Sequence, residues 1–447
     1  MKNLTVGKPI KLILLFAIPL FIGQLFQLFY SLVDTYIVGS TLGDAELAAV
    51  SSITTLSDML NSLLNGFTNG YAIVIATFFG ANDEKNMKKA IAGTVLLGTC
   101  FAVVLSAVCL IFLNPILSIM NVPADVLPLT KSYISIILAG LLAATLYNVC
   151  AAILRALGDT FTPLLFLIVA TVLNIVLDYT FIMFFHMGVS GAALATVVSQ
   201  AMSAIMCFFY MRRKYPTLTL CKEDFKIPKY IYIKMLSTGA SMGFMSSLVS
   251  LGTLSLQSTI NTFGQNTITA HGAARKISSI FMLPFGVFGT TLATYCGQNL
   301  GAGKYSRIKT GIKDTVLLTF LWCVGVITVA YTIAPALVQK ITSTAEQEIV
   351  DTASLYLRVN SIFYFIPTII CLFRNSMQGF GDSKTPVFSS SLELICKILA
   401  AFLLAPKIGY WGIIVAEPVS WIVMVIPLIV NMIRNPILKM KDAEVAS

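Results

Sequence analysis

Charge is scarce in this sequence, and its scarcity excludes more than any motif does. Only 11% of the 447 residues are Asp, Glu, Lys or Arg, against 57% hydrophobic residues and a mean hydropathy of +0.86. That balance rules out an ordinary soluble enzyme and describes a polytopic helical membrane protein. Histidine is nearly missing: His186 and His271 stand alone near the ends of apolar runs, so no His-based catalytic cluster can form within the membrane. The nine cysteines show neither Cys-x-x-Cys nor a Cys/His metal spacing. Scattered mostly through apolar runs, they read as reduced, small hydrophobes in packed helices. No cleavable signal peptide is expected, because the first apolar run exceeds signal length and lacks a small-residue cleavage motif.

What is present is one apolar run after another. A membrane span needs about twenty predominantly apolar residues. Twelve such spans are expected, at 12–38, 46–78, 91–113, 130–153, 161–185, 190–211, 231–260, 268–299, 312–338, 347–377, 386–405 and 410–433. The fold class is therefore all-α and integral to the membrane. On this layout the N-terminus, the even-numbered connections and the C-terminal tail hold 22 of the 30 basic residues, and the opposite side holds three, Lys131, Lys340 and Lys407. The positive-inside rule then places both termini in the cytoplasm of a cell whose cytoplasmic membrane carries the protein. The net charge of +10 is accounted for by orientation, and no nucleic-acid partner is called for.

The longest polar connection divides the chain near its middle. Residues 214–229 contain Tyr215-Pro216 and Lys222-Glu-Asp-Phe-Lys226, a solvated linker between lobes at 1–213 and 230–447. An internal repeat supports the division. Gly80-Ala-Asn82 answers Gly301-Ala-Gly303 at an offset of 221, and Gly158-Asp-Thr-Phe-Thr-Pro163 answers Gly381-Asp-Ser-Lys-Thr-Pro386 at 223. Gly188-Val-Ser-Gly191 answers Gly409-Tyr-Trp-Gly412 at 221. Six spans return the chain to its starting side, so the two six-helix lobes are pseudo-symmetric about the membrane normal. Transporters use that plan around a midplane cavity.

The polar residues inside the spans are few enough to name. Asp34, in the first span, has Tyr30 one turn away on the same face. Asn174 and Asp178 share a face of the fifth span, and Thr196 lies in the sixth. Asp34, Asp178 and Thr196 are all roughly five to seven residues from the same side of the membrane, so they share a depth at ~1.5 Å per residue. Two carboxylates, an amide and a hydroxyl at one depth suit a hard cation such as Na⁺ or a proton carried by one raised-pKa aspartate. Two separately bonded structural acids would be the plainer account. Asp58, mid-span, either attracts a cation or bonds to local Ser and Thr. The second half does not copy this chemistry: Asp34 corresponds to Ser255 and Asp178 to an alanine near Ala401. It offers instead Glu393 and Lys397, an i,i+4 pair, and Glu417, the repeat counterpart of Thr196. These three either line a substrate cavity or form a structural ion-pair network. Arg275 and Lys276 either snorkel or pair with an acid.

Phe29-Tyr-Ser-Leu-Val-Asp-Thr-Tyr-Ile-Val-Gly39, Leu154-Arg-Ala-Leu-Gly-Asp-Thr160, Asn174-Ile-Val-Leu-Asp178 and Gly188-Val-Ser-Gly-Ala-Ala-Leu-Ala-Thr196 give the whole chain a resemblance. It resembles the multidrug and toxic compound extrusion (MATE) transporters. The resemblance implies export of small cationic or amphipathic substrates in exchange for H⁺ or Na⁺, by alternating access and without a cofactor. It implies that Asp34, Asn174, Asp178 and Thr196 form an N-lobe ion site, with Tyr30 and Asn148 as hydrogen-bonding neighbours. Relatives that couple through the C-lobe carry acids in spans seven and ten. Here Gly239–Ile260 and Phe363–Pro367 have none, so that mode is not expected. Lipid is the expected surround, and nothing in the sequence calls for a second copy, so a monomer is expected. The alternative is a flippase for a lipid-linked oligosaccharide from the same superfamily, which would favour a basic cavity. A major-facilitator loop is absent from Gly80-Ala-Asn-Asp-Glu-Lys85.

Overall fold

The computed structural model describes residues 3–120, 122–342 and 346–442. Their regular structure is all helical. The first half contains α1 (Pro9–Thr41), α2 (Asp44–Gly80), α3 (Glu84–Ile111), α4 (Leu113–Ile119), α5 (Leu127–Ala139), α6 (Leu141–Ala156), α7 (Phe161–Tyr179) and α8 (Gly188–Lys214). The second contains α9 (Lys229–Ile260), α10 (Gln265–Gly301), α11 (Tyr305–Thr332), α12 (Ala334–Thr342), α13 (Gln347–Ile362), α14 (Phe365–Gly379), α15 (Lys384–Leu399), α16 (Ala405–Ile408) and α17 (Tyr410–Arg434). Ten helical stretches are long and apolar enough to cross a membrane. Among the described residues, counting each of two bent pairs, α5 with α6 and α13 with α14, as one span gives twelve. These are the fourth and tenth expected spans. They bend by 42° at Gly140 and by 56° at Phe363-Tyr364, where Pro367 follows in the first turn of α14.

The repeat is written in the backbone as well as in the sequence. Left-handed φ values recur in pairs at Gly43 and Gly264, Asn82 and Gly303, Gly158 and Gly381, and Gly188 and Gly409. Single π-helical turns, Thr180–Phe184 and Ala400–Leu404, follow α7 and α15 in the same way. Such turns are common beside functional sites, and the first begins two residues after Asp178.

The Gly-Asp-x-x-Thr-Pro repeat is a helix-to-helix connection. Gly158 and Gly381 supply the left-handed turn, with φ of 84° and 88°. Asp159 then accepts the Thr162 N–H at 3.0 Å and its hydroxyl at 2.8 Å. Asp382 accepts the same two groups of Thr385 at 3.1 and 2.6 Å. Each aspartate thus satisfies a free N–H in the first turn of α7 or α15, where the proline needs no partner. Burial pushes the Asp159 carboxyl up. The Thr162 N–H and hydroxyl, the Tyr215 hydroxyl and the Lys214 ammonium outweigh that and hold it below the usual carboxylate range. A lowered folded pKa means stability that is complete above the unfolded value of about 4 and is lost as pH falls through the folded one. Asp382→Ala, which removes the equivalent cap, is expected to cost about 1 kcal/mol. Thermal melting of the purified variant checks this.

The chain packs as two compact units, Ile18–Gly243 and Leu4–Ala17 with Phe244–Ser447. The boundary therefore differs from the polar linker at 214–229. Close backbone packing is the reason. Gly66 and Gly70 on α2 lie against Gly243 and Gly239 on α9, so tightly that a Cβ on Gly70 would stand 2.5 Å from the Gly239 Cα. Small residues four apart on two helices let backbones meet, which is how helices gain contact in lipid. This crossing binds the first half of α9 into the first unit.

At the start of the chain, the Leu4 N–H donates to Gln298 Oε1 at 2.9 Å, and Lys304 Nζ donates to the Thr5 carbonyl at 3.0 Å. Arg307 donates to the carbonyls of Gly7 and Leu4 at 2.8 and 3.2 Å. Those bonds hold the peptide within the second unit.

Candidate functional site

In the first unit, three helices bring together the polar residues of spans one, five and six. Tyr30 and Asp34 project from α1, Asn174 and Asp178 from α7, and Thr196 from α8. Both pairs are i,i+4, so each presents two polar side chains from one face. The Tyr30 hydroxyl and Thr196 Oγ1 are 3.1 Å apart. In the amide orientation that satisfies its neighbours, Asn174 donates to Asp178 Oδ2 at 3.0 Å and accepts the Thr196 N–H at 3.3 Å. Asp34 and Asp178 lie within hydrogen-bonding reach of each other. Asn174 and Asp178 are 1% and 0% exposed, so bulk water does not solvate them. One oxygen of each aspartate, Asp34 Oδ1 and Asp178 Oδ1, is buried without a hydrogen-bond partner.

That geometry has a definite chemical requirement. Two carboxylates in contact repel strongly when both are charged, and burial removes the water that would screen them. No Lys, Arg or His forms an ion pair with either among the described residues. A shared proton or a bound cation relieves the repulsion, and the idle Oδ1 atoms are where it would be held. Two carboxylates, the Asn174 amide and the Thr196 and Tyr30 hydroxyls make the donor set oxygen-rich and hard.

Tyr133, on α5, is close enough to feel the charge of both aspartates. Sequence reasoning missed it. A signal was available, because Tyr356 repeats it 223 residues later. Asn148, on α6, is partly buried and has no hydrogen bond to the five residues among the described ones.

Asp58 is on an exposed face of α2 with Thr54, Thr55 and Asn61. Among the described residues it makes no ion pair and no hydrogen bond to the neighbouring Ser and Thr. In a spanning helix such a carboxylate must face water or a ligand.

The second-half charges form ion pairs. Glu393 is held by Lys397 at 2.9 Å and by Arg374 at 3.1 Å, with all three side chains 7% exposed or less. Glu417 pairs with Arg275 and accepts the Tyr356 hydroxyl at 2.8 Å. His271 Nδ1 is 3.0 Å from the Tyr410 hydroxyl beside this pair. Glu393 and Lys397 thus do pair, but Arg374 joins them from nineteen positions away in sequence, beyond any local rule.

Residues 19–180 and 242–403 match the MatE family model. The chain is 30% identical to the probable multidrug resistance protein YoeA of Bacillus subtilis (strain 168) over 314 residues, 69% of this chain and 68% of that one. It is 23% identical to the multidrug export protein MepA of Staphylococcus aureus (strain NCTC 8325 / PS 47) over 424 residues, 94% and 93% of the two chains. The fold matches a solved outward-facing multidrug resistance MATE family transporter of the MOP superfamily. The TM-score is 0.90 at 22% identity, over 99% of both chains.

Proposed function

The chain belongs to the multidrug and toxic compound extrusion (MATE) family, and from that premise we propose that it is a secondary active antiporter exporting small cationic or amphipathic molecules. The observation that carries the reading is the buried contact between Asp34 and Asp178, without a basic partner, in a membrane-spanning unit. An intramembrane acid is costly and is retained for function by default. Two in contact form a site whose occupancy by a cation changes the local energy greatly.

The coupling ion in this reading is a proton. Two buried carboxylates in contact repel strongly when both are charged, and one shared proton relieves that repulsion. Asn174 and Thr196 orient Asp178, and Tyr30 holds Thr196 in turn. Asp58, with Thr54, Thr55 and Asn61 around it, is the cargo-binding acid for a cationic group. Coupling follows from linkage: the proton must favour one arrangement of the protein and the cargo another, since a ligand binding both equally shifts nothing. The positive-inside count supports both termini in the cytoplasm. Asp34, Asp58 and Asp178, three acids within spans of the first unit, disfavour an anionic lipid-linked sugar as cargo.

Ethidium efflux from reconstituted vesicles tests the reading. Under an imposed pH gradient, Asp34→Asn is expected to reduce efflux to that of protein-free vesicles while the variant stays folded and inserted. A Na⁺ gradient alone should drive little transport by the wild type. Wild-type efflux by Asp34→Asn would overturn coupling at this site.

A further inference from the structure

The second unit carries a crevice where the repeat would place a copy of the first unit's site. Tyr356 follows Tyr133 by 223 residues, Lys397 follows Asn174 by 223, and Glu417 follows Thr196 by 221. Thr253 and Gln257 stand one turn apart on α9, two positions to either side of Ser255, the repeat counterpart of Asp34. Thr253, Gln257, His271, Arg275, Tyr356 and Glu417 all line one crevice. The polar frame is kept, but the charge is inverted.

In the first unit, two acids meet no cation. In the second, three cations, Arg275, Arg374 and Lys397, are tied to two carboxylates, Glu393 and Glu417. Lys397 lies against α9 next to Thr253 of the crevice, since a Cβ on the adjoining Gly252 would stand 3.0 Å from the Lys397 Cδ. The set is left with one positive charge in membrane-spanning helices, where an uncompensated charge is expensive. Lys397 and Arg374 are 4% and 7% exposed and spoken for by Glu393. Arg275 is different: its side chain is 35% exposed while its partner Glu417 is 8% exposed.

We propose that this crevice binds an anionic group, a carboxylate or a phosphate, which Arg275 takes in exchange for Glu417. A guanidinium fork matches either group in two parallel hydrogen bonds. Glu417 is not stranded by the exchange, because the Tyr356 hydroxyl still donates to it. One added negative charge brings the set to neutrality. The inference does not depend on proton coupling at Asp34 and Asp178.

Binding to the purified full-length protein in phosphatidylcholine nanodiscs tests it. The probes are dansylglycine, a fluorescent amphipathic carboxylate, and its cationic relative dansylcholine. Arg275→Gln is expected to weaken dansylglycine binding by about ten-fold or more, and Glu417→Gln, which frees Arg275, to tighten it by about as much. Dansylcholine binding should not follow either change. Opposite responses from the two halves of one ion pair are what an exchange site produces and a purely structural tie does not. Adding phosphatidylglycerol separates the sources of the anion. Competition that depends on Arg275 identifies a lipid headgroup, and its absence identifies a soluble anion. No saturable dansylglycine binding, or a shift in the same direction in folded Arg275→Gln and Glu417→Gln, would overturn the proposal.

Discussion

Glu393→Gln is expected to destabilise the protein by about 3–5 kcal/mol, whereas Lys397→Gln, one turn away, should cost far less. The two substitutions break the same 2.9 Å ion pair. They differ in what they leave behind. Without Glu393, Arg374 and Lys397 stand as two buried like charges, and among the described residues Arg374 has no other carboxylate and its Nε already lacks a partner. Without Lys397, Glu393 and Arg374 remain paired at 3.1 Å and neutral together. Removing a cation from a set that has one too many relieves it, and removing an anion makes the excess worse. Thermal melting of the three detergent-purified proteins decides the matter. Equal losses from the two substitutions would mean that the pair contributes only its own hydrogen bond and that the excess charge is not felt.

Gly70→Val should be nearly as damaging, for a reason that involves no charge. An added Cβ would lie 2.5 Å from the Gly239 Cα and 2.6 Å from the Gly239 nitrogen and the Thr238 oxygen. All three are backbone atoms, so no side chain can turn aside, and α2 and α9 must separate. Overpacking of this kind costs about 1–3 kcal/mol or more. Lost helix contact in lipid is not offset by a hydrophobic gain elsewhere. Gly272→Ala serves as the control, since a Cβ there meets nothing within 4 Å and the change should stay within about 0.5 kcal/mol. Yield of monodisperse protein and melting temperature check both. A Gly70→Val variant melting with the wild type would show that the close crossing does not hold α9.

Much of the candidate site was legible in the chain because the bilayer makes polar residues conspicuous. Asp34, Asn174, Asp178 and Thr196 stand out against apolar surroundings at one depth, and the structure brings them together. Tyr133 did not stand out, since a tyrosine in a span is cheap and has many ordinary uses. Asp58 leaves two readings open in the sequence, and among the described residues it has no hydrogen bond to the neighbouring Ser and Thr. Arg275 and Glu417 each stand out within a span, but they are 142 positions apart and no periodicity links such partners.

The same division applies to the fold. The number of spans and the repeat followed from the sequence alone. A membrane core demands about twenty apolar residues per crossing, and left-handed turns demand glycine or asparagine at fixed places. Those are local requirements, met within one helix or one connection. Only the tertiary structure decided that two spans bend in their middle and that α9 joins the first unit through Gly239 and Gly243. It alone decided that a surplus cation set occupies the second half. Each of those outcomes depends on which backbone or charge arrives from a distant part of the chain, and neither hydropathy nor spacing records that arrival.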